Sequence, residues 1–314
     1  MKALHYKDIC LLPNYSTLYS RQEADTSVEF LGRTFKLPII PANMKCVLDE
    51  ERAAWLSNNN YFYIMHRFAD VYRFVADYQR LNNISISVGV KNEDKELLQK
   101  IKDEELRVDF ITIDIAHGHS KLMKDMISFI KSLELDAKII AGNICTYQAY
   151  CDLVEWGANA VKVGIGGGAA CSTKNKTGFT FPMYSCIREL RSFVLDDVPI
   201  IADGGVREHA DIVKAIHAGA TMVMAGGLFS KLIDSPAELV DGHKVYFGSA
   251  SQFNKGEYKH VEGIKRTLEL DPMTYAEKIN EIKQDIQSAI SYAGGDQLKD
   301  IRNANYTQVT HWEA

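Results

Sequence analysis

Eight short apolar segments recur along the chain, and charged segments with helical spacing separate most of them. The apolar segments are residues 37–43, 61–67, 84–90, 110–116, 138–144, 160–166, 199–205 and 221–227. They are nearly continuous in hydrophobicity and rich in β-forming residues, which is typical of parallel strands covered on both faces. Of the charged segments, residues 209–220 include Gly219 just before the next strand, where a glycine commonly ends a helix.

This alternation predicts an α/β fold, and its count of eight predicts a closed (β/α)8 barrel, the TIM barrel. A doubly wound open sheet has the same alternation and is the alternative, but the number of repeats favours the barrel. The chain has 314 residues, and α/β barrels routinely reach about 250 residues as one domain. We therefore expect residues 1–314 to form a single catalytic domain.

Two long segments interrupt the alternation, and both follow the carboxyl ends of predicted strands. Residues 167–198 lie between strands six and seven, and residues 229–270 follow strand eight. Long excursions from a compact domain are usually functional, and barrel enzymes build their active sites at this end of the strands. We predict a catalytic cysteine loop with a following helix in the first segment and an active-site flap in the second.

Charge and cysteine usage exclude several classes of function. The formal net charge is -5, which gives no electrostatic drive toward nucleic acid or anionic membranes. The sequence contains neither a signal-peptide pattern nor an apolar run of membrane-spanning length. None of the 6 cysteines forms a CxxC pair, so they are interpreted as reduced thiols. These features predict a cytoplasmic enzyme without a nucleic-acid or membrane partner.

The segment KVGIGGGAACSTKNKTG, residues 162–178, combines three consecutive glycines with a cysteine and two hydroxyl residues. Glycines let the backbone pass close to a ligand, and backbone amides in such a loop favour a thiolate over a thiol. Because Cys171 would lie at the carboxyl end of a barrel strand, we interpret it as a nucleophile with Thr173 within reach. The alternative is a buried structural cysteine at a glycine-rich turn.

Paired glycines end the last two predicted strands. The sequences ADGG and AGG place Gly205 at one strand end and Gly226 and Gly227 at the other. Loop amides at these two positions often bind phosphate in barrels, and the carboxylate of Asp203 suits a ribose hydroxyl. The alternative is two tight turns that require glycine. We predict that these strand ends bind a nucleotide.

Several segments together resemble the IMP dehydrogenase/GMP reductase family over nearly the whole chain. The matching segments are residues 6–21, 162–178, 200–205, 222–227, 246–251, 261–265 and 284–295. The reductase branch is favoured, because the chain has no room for the regulatory insertion of the dehydrogenases and residues 229–270 contain no Arg-Tyr pair. The alternative is an IMP dehydrogenase that lacks this insertion.

The resemblance implies a reaction and roles for individual residues. It implies NADPH-dependent reductive deamination of GMP to IMP and ammonia, through a covalent intermediate between Cys171 and the purine, in purine salvage. Thr173 and Glu262 match the residues that handle protons for the departing ammonia. Other matches are Asp203 for the ribose, Gly205, Gly226, Gly227 and Tyr246 for the phosphate, Asp114 and His117 near the nicotinamide, and the carbonyls of Gly166, Gly168 and Cys171 for a monovalent cation such as K⁺.

The resemblance also implies a homotetramer, and two positions depart from the family pattern. The family usually has proline where Gly167 stands, and often serine or lysine where Ala169 stands. These departures remove one expected side-chain contact with phosphate and make the loop more flexible. A weaker cation site is expected as a result.

Overall fold

The computed structural model describes residues 3–193, 198–255 and 261–309. Its strands are β1 (Ile9–Leu12), β2 (Val28–Phe30), β3 (Arg33–Phe35), β4 (Ile39–Pro41), β5 (Ser85–Val88), β6 (Phe110–Asp114), β7 (Lys138–Ile144), β8 (Ala160–Val163), β9 (Ile200–Asp203), β10 (Met222–Ala225), β11 (Leu239–Val240), β12 (His243–Phe247), β13 (Lys265–Glu269) and β14 (Asn305–Gln308). Its α-helices are α1 (Glu50–Asn58), α2 (Val71–Asp77), α3 (Asn92–Asp103), α4 (Lys121–Ser132), α5 (Tyr147–Trp156), α6 (Thr173–Thr177), α7 (Met183–Phe193), α8 (His209–Ala218), α9 (Gly227–Ser230), α10 (Gln252–Lys255) and α11 (Tyr275–Tyr292).

Seven parallel strands form one curled sheet in the order β4-β10-β9-β8-β7-β6-β5. All four residues of β5, β8 and β10 are buried, as expected for strands with both faces covered. On the outside, α7 packs against α8, and α8 packs against α11. The predicted α/β class with a parallel sheet is confirmed, and seven of the eight predicted segments contain a strand of this sheet.

The eighth predicted segment, residues 61–67, pairs with the sheet only through a bridge between Met65 and Ile86. The Met65 amide donates to the Ser85 carbonyl and its own carbonyl accepts from the Ser87 amide, both at 2.9 Å. The next ladder position is interrupted, because the Ser85 amide donates to the hydroxyl of Tyr63 at 3.3 Å instead of a carbonyl. A side chain therefore takes the hydrogen bond that would extend this strand.

Helix α11 begins at a capping box that the sequence analysis did not use. The Thr274 hydroxyl accepts from the Glu277 amide at 3.3 Å, and the Glu277 carboxylate accepts from the Thr274 amide at 2.8 Å. Such reciprocal bonds satisfy two amides that a helix start leaves unpaired.

Within the described residues, no helix has the length and apolar character needed to cross a membrane.

Three small antiparallel units surround the parallel sheet. Strands β2 and β3 form a hairpin, and β1 pairs with β14 so that the two ends of the chain are tied together. Strands β11, β12 and β13 form a third sheet within the predicted flap, residues 229–270. This third sheet matters for the site, because the chain between β12 and β13 returns to the cysteine loop.

A buried histidine predicts a specific loss of stability in acid. His66 is 6% exposed, and burial lowers its pKa to about 4. An unfolded histidine titrates near 6.5, so between these values the unfolded chain binds more protons and stability falls as pH falls, by about 3 kcal/mol in total. We expect urea unfolding to show a steeper decline between pH 6.5 and 4 for the wild type than for His66→Gln. Parallel pH profiles for the two proteins would contradict this assignment.

Candidate active site

An open cleft of about 920 Å³ lies at the carboxyl ends of the central strands. The predicted site residues that line it are Gly166, Gly168, Cys171, Thr173, Asp203, Gly205, Gly226, Gly227, Tyr246 and Glu262. They come from the loops after β8, β9 and β10 and from the segment that contains β12 and β13. Residues separated by about a hundred positions in sequence thus meet around one concave surface, as expected for the carboxyl end of such a sheet.

Glycines allow the loops after β8 and β9 to touch through their backbones. Gly164 has a φ of +142°, and a Cβ there would lie 2.0 Å from the carbonyl oxygen of Asp203. Gly204 has a φ of +112°, and a Cβ there would lie 3.0 Å from backbone atoms of Gly167 and Gly168. No other residue type fits either position without displacing the neighbouring loop. Gly164 and Gly204 are therefore required by the packing of two strand ends.

A hydrogen-bonded chain connects the cysteine sulfur to a carboxylate. The Sγ of Cys171 lies 3.2 Å from Oγ1 of Thr173, and that hydroxyl donates to Oε2 of Glu262 at 2.6 Å. Thr173 is the first residue of α6, so it follows the cysteine within one turn. The three groups form a continuous path along which a proton can move between sulfur and carboxylate.

Glu262 reaches this path because its segment is fixed to the cysteine loop by main-chain hydrogen bonds. The Ser172 amide donates to the Glu262 carbonyl at 2.8 Å, and the Ile264 amide donates to the Ala170 carbonyl at 2.9 Å. These two bonds flank an antiparallel bridge between Cys171 and Gly263. The backbone register thus sets the distance from Glu262 to Thr173.

The part of the cleft formed by the ends of β9 and β10 and by Tyr246 has features of an anion site. A Cβ on Gly226 would lie 2.5 Å from the hydroxyl of Tyr246, whereas a Cβ on Gly227 would meet no atom within 4 Å. Tyr246 is 5% exposed, and burial raises its pKa so that the phenol stays protonated. Gly205 has a φ of +83° and borders the same cleft. Backbone amides and a neutral phenol are donors that suit a phosphate.

A buried lysine joins two of the predicted carboxylates. The Nζ of Lys162 on β8 lies 2.6 Å from Oδ2 of Asp203 and 2.8 Å from Oδ1 of Asp114. Burial alone would lower the pKa of Lys162, but the two carboxylates outweigh burial and raise it. Burial opposes ionisation of Asp114 as well, yet Lys162 and the amide of Asn43 hold the pKa of Asp114 below its ordinary value. Lys162 and Asp114 are therefore both charged at neutral pH.

The two residues predicted to face the cofactor lie beside the cleft and not in its lining. Asp114 ends β6, and its carboxylate is held by Lys162 and by Asn43, whose amide donates at 3.1 Å. His117 follows three residues later and is exposed. The backbone between them contributes Ala116 to the cleft lining, so these residues border the cleft on the β6 side.

The three carbonyls predicted to bind a cation are not equivalent. The Gly168 carbonyl accepts from the Cys171 amide at 3.1 Å. Over residues 3–193, 198–255 and 261–309, the carbonyls of Gly166 and Cys171 accept no hydrogen bond. Two of the three oxygens are thus available to a hard cation, and a flexible glycine loop can bring in the third.

Sequence reasoning missed several residues of this site. Lys162 was included in an apolar strand, although a lone lysine within such a strand signals a buried ion pair. Asn143 was also missed: its amide donates to the Gly164 carbonyl at 2.7 Å and to Oδ2 of Asp203 at 2.9 Å. The contacts of Asn43 carry no local sequence signal, because they depend on a strand that lies far away in sequence.

Comparison with known proteins agrees with this geometry. The IMP dehydrogenase / GMP reductase domain profile matches residues 3–313. A protein of Acidovorax ebreus named GMP reductase is 49% identical over 98% of this chain and 96% of its own length. Proteins of Leptothrix cholodnii and Shouchella clausii with the same name are each 48% identical, over 98% and 97% of this chain and 96% and 94% of their own lengths.

Proposed function

The chain belongs to the IMP dehydrogenase/GMP reductase family, and from that membership we propose that it converts GMP to IMP and ammonia with a reduced nicotinamide cofactor. The observation that carries this proposal is the chain from Cys171 through Thr173 to Glu262 at the cleft. It provides a nucleophile for a purine carbon and an acid for an amine leaving group. Both are needed to replace an amino group by hydrogen at one carbon atom.

In the first step, the Cys171 sulfur attacks C2 of the guanine ring. The thiol proton passes to the Thr173 hydroxyl as that hydroxyl gives its own proton to Glu262, along contacts of 3.2 and 2.6 Å. A C–S bond forms at C2, and the electron pair of the ring C=N bond moves onto the ring nitrogen. Glu262 then returns the proton through the Thr173 hydroxyl to the exocyclic amine, because an amine leaves well only when it is protonated. The electron pair on the ring nitrogen restores the C=N bond as the C–N bond to the amine breaks. Ammonia departs and leaves a thioimidate on the purine.

In the second step, hydride must reach C2 and the sulfur must leave. We propose NADPH as the cofactor; when bound, it supplies this hydride. The C–S bond then breaks, the electron pair returns to Cys171, and IMP is released. Overall, GMP, NADPH and two protons give IMP, NADP⁺ and ammonium. The role of this chain is to hold the thioimidate away from water while hydride arrives.

For nucleotide binding, we propose that Asp203 accepts from the ribose hydroxyls. Its Oδ2 is held by Lys162 and Asn143, and its side chain is 23% exposed on the cleft. Gly205, Gly226, Gly227 and Tyr246 would hold the phosphate through amides and one phenol. Held by these two sets of contacts, the base would face Cys171, which lines the same cleft.

For the cofactor and cation, we propose sites that the residues present can accommodate. Asp114 and His117 border the cleft and would face the nicotinamide. The carbonyls of Gly166, Gly168 and Cys171 would coordinate K⁺, which would stabilise the loop that carries the nucleophile. In this proposal the cation has no part in bond making or breaking.

For the whole molecule, we propose a closed (β/α)8 barrel forming a single catalytic domain over residues 1–314, which assembles as a homotetramer in the cytoplasm. Residues 229–270 would act as a flap over the cleft. Support for the flap comes from the docking of Glu262 and Ile264 on the cysteine loop. Support for the barrel comes from the curled seven-stranded sheet and the Met65 bridge at its edge.

A substrate comparison tests the proposal directly. We expect oxidation of NADPH that depends on GMP, with IMP and ammonia as products in equal amounts. The matched reaction uses IMP and NAD⁺, which a dehydrogenase without its regulatory insertion would convert to xanthosine monophosphate. Turnover with the second pair alone would contradict the proposal and support the dehydrogenase. Absorbance at 340 nm follows both reactions, and chromatography identifies the purine.

A further inference from the structure

Asp203 is held through one oxygen, and its other oxygen is left for a ligand. Lys162 and Asn143 both donate to Oδ2, at 2.6 and 2.9 Å. Within the part of the chain that the structure describes, no hydrogen bond reaches Oδ1. A carboxylate anchored by two donors at one oxygen presents the other in a fixed direction. Of these two donors, only the ammonium of Lys162 carries a charge.

The same ammonium also holds Asp114, and it is almost completely buried. The Lys162 side chain is 3% exposed, against 18% for Asp114 and 23% for Asp203. Lys162 thus lies beneath the cleft, and the two carboxylates lie between it and the solvent. It does not reach the space a ligand would occupy, so any effect on the reaction must pass through the carboxylates.

We propose that Lys162 is a positioning residue that fixes both the ribose-binding carboxylate of Asp203 and the cofactor-side carboxylate of Asp114. The inference rests on the proposed function, which assigns these two carboxylates to the two ligands. One buried cation in the middle of β8 would then hold the substrate and cofactor halves of the site in a common geometry. Removal of one member of a buried ion network leaves uncompensated charge, which is strongly unfavourable.

Loss of the ammonium would place two carboxylates side by side. Like charges at such short range tend to share a proton, so loss of the last proton from the Asp114–Asp203 pair would move to higher pH in Lys162→Met. Arg67 faces Asp114 and would offset only part of this charge. A protonated carboxyl accepts hydrogen bonds from ribose hydroxyls more weakly than a carboxylate does.

The two phenols near Asp203 stay neutral. The phenols of Tyr6 and Tyr246 face this carboxylate, and burial raises the pKa of each. Neither phenol can therefore supply the positive charge that Lys162 provides. The pH dependence that distinguishes Lys162→Met from Lys162→Arg is therefore expected to come from the two carboxylates.

The test measures GMP binding without cofactor between pH 6 and 8.5 for wild type, Lys162→Arg and Lys162→Met. We expect the arginine variant to stay within about threefold of wild type, because a guanidinium can bridge two carboxylates. We expect Lys162→Met to bind at least about tenfold more weakly at pH 7 and to weaken further as pH falls. The GMP phosphate also titrates near pH 6, and this effect cancels in the comparison with Lys162→Arg.

A second pair of variants keeps the test decisive if Lys162→Met does not fold. The single variant Asp114→Asn retains the lysine. The double variant Asp114→Asn/Lys162→Met lacks the lysine and keeps one carboxylate, that of Asp203, instead of two. We expect the double variant to bind GMP at least about tenfold more weakly than Asp114→Asn. Equal affinities in this pair, or a flat pH profile for Lys162→Met at wild-type affinity, would overturn the inference. Wild-type turnover of GMP in the same preparation tests the proposed function separately, so the two failures are distinguishable.

Discussion

Replacement of Cys171 by alanine is expected to abolish GMP turnover, with a loss of at least about 10⁴-fold in kcat, which corresponds to about 5 kcal/mol of transition-state stabilisation. Without the sulfur no C–S bond can form, and the amine has no route to leave. Thr173 and Glu262 remain but have no covalent intermediate to act on. Cys171 packs at the edge of the cleft and is half-buried, so we expect the variant to fold and to bind GMP.

The control is Cys151→Ala on α5, which removes a half-buried thiol outside the cleft lining. We expect it to keep turnover within about twofold of wild type, since no residue of α5 lines the cleft. Mass spectrometry of wild-type enzyme quenched during turnover should find a purine adduct on the Cys171 peptide. An adduct elsewhere, or more than about a tenth of wild-type activity in Cys171→Ala, would exclude the covalent mechanism.

Replacement of Glu262 by glutamine is expected to slow ammonia release by about 10³-fold, within the usual range for removal of a general acid. The amide oxygen can still accept from the Thr173 hydroxyl, whose contact with Glu262 is 2.6 Å. The amide cannot take up the thiol proton or return it to the amine. The loss should therefore fall on the chemical step, with GMP affinity changed by less than about threefold.

A half-reaction separates this role from a structural one. Hydride transfer between IMP and NADP⁺ in the absence of ammonia needs the thiol proton removed but does not use the leaving-group proton, so Glu262→Gln should slow it by a smaller factor than it slows ammonia release. The matched control is Glu269→Gln, the same substitution at an exposed position of β13, which should leave both half-reactions intact. Equal losses in both half-reactions for Glu262→Gln would point to a disrupted segment and contradict the proton role.

The parallel sheet could be predicted because its signal is local. Strand β7 has the predicted bounds, residues 138–144, and α8 ends before Gly219 as expected. The segment around Met65 differs because the Tyr63 hydroxyl takes the amide of Ser85. That contact depends on a neighbouring strand, which the periodicity of one segment does not report. The periodicity of the sequence therefore indicates all eight segments but not the pairing of this one.

The candidate site likewise has residues that could be predicted from the sequence and contacts that could not. The glycine pairs and the lone cysteine can be recognised from the sequence, because they are unusual local motifs at the ends of predicted strands. The link from Asp203 to Asp114 is not visible, since it passes through Lys162 on a third strand. Nor could spacing show that Thr173 meets a residue 89 positions away. Only the resemblance to a known family suggested that Glu262 belongs beside it.

Because of the bridge between Cys171 and Gly263, the number of residues in the segment around Glu262 must be preserved more strictly than the identity of those residues. Its bonds use backbone atoms, so Ile264 can vary in side chain without loosening the contact. A one-residue deletion that slipped this pairing would turn the neighbouring side chain to the opposite face. Glu262 would then point away from Thr173 although every functional residue was still present. Variants of this enzyme should consequently tolerate substitution of Ile264 but almost no insertions or deletions in this segment.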